Sequence, residues 1–187
     1  WVVFTFEEDA LLGRVSPYLI QPLHPFTRYF AQHIAEQITR FPFAVLIAIF
    51  FFIFNPQSFW IPSFLTIIYS LISTFFSFLI QFLIQSIIAS FCFWTEKASS
   101  IEKLLFIPTL FLSGLLAPVS SFPYYVKSWI YLTPFPYLID FPASILSGNQ
   151  TNIIKGIFIQ ILWIILFFSI FKKVWKSGTK KFTAMGL

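Results

Sequence analysis

From Phe41 to Thr95 the chain runs for 55 consecutive residues without an Asp, Glu, Lys or Arg. A helix needs about 20 apolar residues to cross the hydrocarbon core of a bilayer, so this stretch has room for two crossings. A soluble domain would interrupt it with charge. Only 10% of the 187 residues are charged, against about 25% in ordinary soluble domains. The 28 phenylalanines add more apolar surface than so short a chain can hide from water. The expected fold class is an all-α integral membrane protein.

Asn55-Pro56-Gln57-Ser58 is the turn-like cluster that divides the stretch. Before it, Phe41 to Phe54 is about 21 Å of helix, a full crossing only if Gln37 to Arg40 continue the helix and Arg40 snorkels to the interface. Pro42 is a candidate kink there. After it, Trp60 to Trp94 would exceed about 50 Å as one helix, so it must tilt, break or project beyond the lipid. A third crossing is expected from Leu104 to Pro118 and a fourth from Ile153 to Phe171. Between them, Val119 to Asn152 carries Pro123, Pro134, Pro136 and Pro142 among Tyr124, Tyr125, Trp129, Tyr131 and Tyr137. The prolines forbid one continuous helix, and the rings favour head-group depth. This segment reads as a re-entrant hairpin of short interfacial helices on the outer side.

Placing both ends in the cytoplasm puts Arg14, Arg28, Arg40, Lys97, Lys103, Lys172, Lys173, Lys176, Lys180 and Lys181 inside and only Lys127 and Lys155 outside. That imbalance favours this orientation. The chain then divides into a cytoplasmic segment 1–40, three spans over 41–118, an extracytoplasmic hairpin 119–152, a last span 153–171 and a basic cytoplasmic tail 172–187. Within 1–40, Glu7-Glu8-Asp9 is an acidic cluster, and Pro17, Pro22 and Pro25 exclude a long regular helix over Gly13 to Pro25. Phe26, Tyr29, Phe30, Ile34, Ile38 and Phe41 then recur at helical spacing, with Arg28, Gln32, Glu36 and Thr39 opposite. This predicts an amphipathic helix at the inner interface that feeds the first span, with Glu36 and Arg40 spaced as an i,i+4 pair. The sequence begins at Trp1 and its single Met is Met185. The expectation is a piece of a longer protein that lacks its N-terminal part.

The chemistry is sparse. His24 and His33 have no Cys or carboxylate at metal-ligand spacing, so interface or capping roles fit them better than a metal. No glycine precedes a Lys-Ser or Lys-Thr pair, so the chain carries no P-loop of its own. A net charge of +5 comes from only 12 basic residues without an interleaved aromatic face, which argues against nucleic acid. The expected spans hold no ionisable residue, which leaves an intramembrane enzyme nothing to work with. Asp140 is the lone outer-side acid and reads as a helix cap. Cys92 lies among apolar residues and reads as a small buried hydrophobe. Asn149-Gln150-Thr151 formally matches a glycosylation acceptor. Ser70, Ser73, Ser77, Gln81 and Gln85 fall at spacings of three or four and form one polar stripe on the second span. Such a stripe serves helix packing or lines a translocation path, and both readings stand.

Several short motifs follow one another in a telling order. They are Gly13-Arg14-Val15-Ser16-Pro17-Tyr18-Leu19-Ile20-Gln21-Pro22-Leu23-His24-Pro25, Phe93-Trp94-Thr95-Glu96-Lys97-Ala98, Phe111-Leu112-Ser113-Gly114-Leu115-Leu116-Ala117-Pro118, Thr133-Pro134-Phe135-Pro136-Tyr137, and Gly178-Thr179-Lys180-Lys181-Phe182-Thr183-Ala184-Met185-Gly186. Together they resemble the membrane permease subunit of type-2 ABC exporters, and more narrowly a bacterial branch common in cyanobacteria. The resemblance spans nearly the whole chain.

It implies a six-span permease of the cytoplasmic membrane, of which this chain holds about four. Such a permease dimerises with a second copy or a paralogue. It pairs with a separate ATPase that binds ATP and Mg, so no cofactor is expected in this chain. The element that docks on the ATPase would comprise Glu7, Glu8, Asp9, Gly13, Arg14, Ser16, Pro17, Tyr18, Gln21, Pro22, His24 and Pro25. ATP-driven closure of the ATPases would push on it, and the permease dimer would alternate between inward-facing and outward-facing states. A proline-stiffened element transmits a push better than a Gly/Ser linker. The rival reading is a non-transporting membrane scaffold or assembly protein. The apolar walls fit lipids, hydrophobic drugs and lipid-tailed glycans equally.

Overall fold

The computed structural model describes residues 1–58, 61–95, 97–150 and 152–184. Trp60 of the expected second span, Glu96 of the Phe93–Ala98 motif, Thr151 of the acceptor triplet, and Met185 and Gly186 of the terminal motif lie outside the described residues. Among the described residues every regular element is helical. The helices are α1 (Val2–Leu11), α2 (Val15–Ile20), α3 (Pro25–Phe54), α4 (Phe64–Ser90), α5 (Ser99–Leu112), α6 (Tyr124–Ile130), α7 (Asp140–Leu146) and α8 (Ile153–Ala184), with short 3-10 turns between some of them. Three of these, α3, α4 and α8, are long and apolar enough to cross a membrane. The chain is an all-α multi-pass membrane protein.

α3 starts at a proline, whose missing N–H is no loss in a first helical turn. His24 Nδ1 caps it by accepting the Phe26 N–H at 3.3 Å. The helix continues through Pro42, so the amphipathic lead and the first apolar stretch form one 30-residue helix. Its first turns pack inward through Phe26, Tyr29 and His33. From Gln37 to Phe54 every side chain is exposed within this chain apart from the half-buried Phe52. In the membrane that flank faces lipid or protein beyond this chain.

α4 is 27 residues, about 40 Å, and a 3-10 turn at Phe91–Phe93 ends it. The stretch beginning at Trp60 is thus shortened to a length that crosses with some tilt. The hydroxyls of Ser86 and Ser90 each donate to the carbonyl four residues back, both at 2.7 Å. That satisfies them inside a dry helix.

The expected third span, Leu104 to Pro118, is where the structure departs most. α5 starts earlier, at Ser99, and stops at Leu112. Its 14 residues give about 21 Å, short of a full crossing. The region 41–118 therefore holds two long helices and this short one. The cause of the stop lies in the hairpin. Gly114 takes φ +88°, and a Cβ there would lie 2.7 Å from Asp140 Cβ. The Asp140 N–H donates to Ser113 O at 2.9 Å, and Asp140 Oδ1 accepts the Val119 N–H at 2.9 Å. Only glycine permits both that backbone angle and that approach.

The helices enclose two cores. At the end where α4 and α8 finish, called here the basic end for Lys172, Lys173, Lys176, Lys180 and Lys181 of α8, Val2, Val3 and Phe6 of α1 pack on Ile88, Ala89 and Phe93. The Phe6 ring centroid lies 5.3 Å from Phe26, 5.8 Å from Phe93 and 6.1 Å from Trp175. Phe6 is fully buried, worth about 2 kcal/mol against leaving it in water. At the opposite end Tyr137, Phe141 and Ile145 pack on Tyr69, Ile157 and Trp163. A Cβ on Gly156 of α8 would come within 2.0 Å of Phe141 Cζ. The hairpin thus lies against bare backbone there.

Candidate functional site

The polar stripe of α4 divides in two. Its first half holds the hairpin. Ser70 Oγ donates to Pro142 O at 3.3 Å, and Ser77 Oγ lies 2.7 Å from Tyr137 O. From α8 the fully buried Gln160 brings its Nε2 to Ser73 O, Ser77 Oγ and Tyr137 O at 3.1, 3.1 and 3.0 Å. Ser77 is the midpoint of the 27-residue α4. The hairpin therefore reaches halfway along that helix.

The second half of the stripe, Gln81 and Gln85, lines two adjoining cavities. The first encloses about 310 Å³. Gln81, Ile84, Gln85 and Ile88 of α4 face Glu102, Leu105, Phe106 and Thr109 of α5 across it, with Phe167 of α8 alongside and Pro134 and Phe135 of the hairpin at one end. Both helices present the i, i+3, i+4, i+7 positions of a single face. The second cavity, about 490 Å³, shares Gln81, Gln85 and Thr109 and adds His33, Glu36, Gln37 and Arg40 of α3, with Leu138 and Ile139 at its hairpin side.

Charge lines both cavities. Arg40 Nη2 lies 2.7 Å from Glu36 Oε1, the i,i+4 pair expected from spacing. His33 Nδ1 stands 3.7 Å from Glu36 Oε2, an ion-pair distance beyond hydrogen-bond range, while its ring stacks on Phe78 at 5.0 Å. The Trp1 backbone nitrogen is 3.6 Å from Glu102 Oε1. Among the described residues, Gln85 Oε1, Glu102 Oε2, Glu36 Oε2 and His33 Nδ1 are buried without a hydrogen-bond partner.

The segment from Glu7 to Pro25 is two short helices and a bend. Gly13, at φ +70°, makes the turn between α1 and α2. Glu7 and Asp9 point into the protein. Glu7 accepts the Ser99 N–H at 2.6 Å and the Ser99 hydroxyl at 3.0 Å, capping α5 from 92 residues away in sequence. Asp9 is buried and accepts the Tyr29 hydroxyl at 2.7 Å, with Arg14 Nη1 at 3.5 Å. Glu8, Arg14, Pro17, Gln21, Pro22 and His24 are exposed, and Ser16, Tyr18 and Pro25 are half-buried. Arg28 lies over the Tyr18 ring at 4.7 Å and donates to its hydroxyl. The His24 ring sits 5.0 Å from Trp175, and desolvation of the covered part of the ring lowers its pKa.

Several of these residues carried no such role in the sequence reading. Glu36 counted there as the outer polar face of an amphipathic helix, and Glu102 had no assignment. The one available signal was the i, i+3, i+4, i+7 set Glu102, Leu105, Phe106 and Thr109, which shares a face. Asp140 proves to be a brace within the hairpin, also accepting the Tyr131 hydroxyl at 3.4 Å.

A family model described as ABC-2 family transporter protein matches residues 4–186. No curated protein and no solved structure matches the chain.

Proposed function

We propose that this chain, which belongs to the ABC-2 transporter family, is the permease that forms the substrate path of an ATP-driven exporter, with ATP and Mg held by a separate ATPase subunit. The single observation that carries the reading is the pair of cavities between α3, α4 and α5, ended by the hairpin at Pro134, Phe135, Leu138 and Ile139. In this reading the chain sits in the cytoplasmic membrane with the basic end inside. The hairpin is re-entrant, and the cavities are the inward-facing half of the path.

Coupling follows from the connections of α1. The exposed Glu8, Arg14, Pro17, Gln21 and Pro22 form the surface on which the ATPase pushes. Glu7, through Ser99, and Asp9, through Tyr29, carry the displacement to α5 and α3, the walls of the cavities. A second copy or paralogue completes the path, and the exposed apolar flank of α3 supports such a partner as well as lipid.

The test is co-purification followed by a coupling assay. The full permease is expected to isolate with an ATPase carrying a nucleotide site. Replacing Arg14 or Pro22 is expected to leave insertion intact and to abolish transport-coupled ATP hydrolysis. A partner lacking a nucleotide site would replace this reading with that of a scaffold, and unchanged coupling in both variants would overturn the assignment of the docking surface.

A further inference from the structure

The geometry points to the cavity between α4 and α5 as a binding site for an apolar molecule with a protonated amine head. This rests on the permease reading and names the substrate class for it. The cavity is of small-molecule size and mostly apolar, through Ile84, Ile88, Leu105 and Phe167. Its polar groups are aimed inward and unfinished. Gln85 is 8% exposed, lines the cavity, and its Oε1 has no hydrogen-bond partner among the described residues. Glu102 Oε1 lies 3.6 Å from the Trp1 backbone nitrogen, whereas Glu102 Oε2 is buried and has no hydrogen-bond partner among the described residues.

Both orphan atoms are acceptors, and one belongs to a carboxylate. An unpartnered buried acceptor costs about 1–3 kcal/mol, a debt that a donor from a ligand removes. A protonated amine fits because it has three donors and no acceptor. A hydroxyl head would offer one neutral donor, where the amine offers three and a charge to set against Glu102. A phosphate head would set negative charge against Glu102. In the adjoining cavity the Arg40 side chain holds Glu36 at 2.7 Å, whereas among the described residues no side-chain cation pairs with Glu102, so the amine is directed to the Gln85 and Glu102 side.

The experiment uses the full permease in lipid nanodiscs, with binding to empty discs subtracted. Radiolabelled dodecylamine, dodecanol and dodecyl phosphate are the probes, since they share one tail and differ in the head. The amine is expected to bind at least about tenfold more tightly than either of the others, as a charge-assisted hydrogen bond implies. Glu102→Gln and Gln85→Leu are each expected to weaken the amine about tenfold and to leave dodecanol unchanged. Gln85→Glu is expected to tighten amine binding, a gain that misfolding cannot produce. Equal retention of amine and alcohol, preference for the phosphate, or amine binding indifferent to Glu102→Gln and Gln85→Glu would overturn the inference. The same preparations are tested for ATPase co-purification. A bound ATPase without amine selectivity overturns this inference alone, and amine selectivity without an ATPase overturns the permease reading alone.

Discussion

The Ser77, Gln160 and Tyr137 node makes an unusual prediction about additivity. Tyr137 O has two donors, Ser77 Oγ at 2.7 Å and Gln160 Nε2 at 3.0 Å. Ser77→Ala leaves it the glutamine, and Gln160→Leu leaves it the serine. Each single substitution removes interhelical hydrogen bonds worth about 0.6 kcal/mol on average at membrane depth. Gln160→Leu also deletes an Oε1 that has no hydrogen-bond partner among the described residues, which holds its cost down. The double variant strips the carbonyl of both donors and incurs about 1–3 kcal/mol for an orphaned acceptor. The direct Ser77–Gln160 bond at 3.1 Å is lost in either single variant, so it subtracts about 0.6 kcal/mol from the coupling. The double variant should therefore cost more than the sum of the singles by roughly 1–2 kcal/mol. Reversible SDS unfolding of the full permease in bicelles measures all four corners of the cycle. A double variant that costs the sum of the singles, or less, would refute the reasoning, because it would mean that Tyr137 O does not depend on these two side chains.

Other perturbations test the clasp, the hairpin and the cap. Glu7→Ala should raise hydrogen exchange at the first amides of α5 and cost about 1 kcal/mol, as loss of a helix cap does, whereas unchanged exchange at Ser99 would remove the clasp from the account. Gly156→Val drives its side chain into the Phe141 ring and should destabilise the hairpin by about 1–3 kcal/mol, with Phe141→Ala in the same chain restoring part of the loss in the same unfolding assay. His24 holds its cap only while Nδ1 keeps its lone pair, and desolvation of the covered part of the ring sets its pKa below the ordinary 6.5. Its contribution is therefore present above that ordinary value and lost as pH falls through the lowered one. Protection of the Phe26 amide, taken against the intrinsic exchange rate at each pH, should fall on acidification in the natural chain and stay flat in His24→Asn, which keeps an acceptor and does not titrate.

Local pattern made the long elements legible. The charge-free run announced two apolar helices, Asn55 to Ser58 marked their divide, and the prolines of 119–152 broke that segment into short helices, Pro123 and Pro134 just before their starts and Pro136 and Pro142 within their first turns. What pattern could not reach were joints between distant residues. Gly114 offers a helix stop two residues past Leu112, but a glycine alone does not enforce one. The stop comes from Gly114 meeting Asp140, which only the folded hairpin brings together. Glu7 reads in sequence as one of an acidic cluster in the docking element, because its partner Ser99 lies on another helix. The stripe on α4 was visible as a stripe, yet its division into a fastening half and a cavity half depends on how far the hairpin reaches along α4.

α8 touches both cores through one unbroken helix of 32 residues, a rod of about 48 Å. Phe141 rests on it at Gly156 near one end, and Phe6 meets it at Trp175 near the other. A rod held this way behaves as a see-saw. A lean of about 5° around its midpoint carries the two ends about 2 Å in opposite directions, given that length. A shift at one core therefore reaches the other along the rod, although about 100° of helical turn separates the faces of Gly156 and Trp175. Distance labels placed across each core would then report changes that occur together.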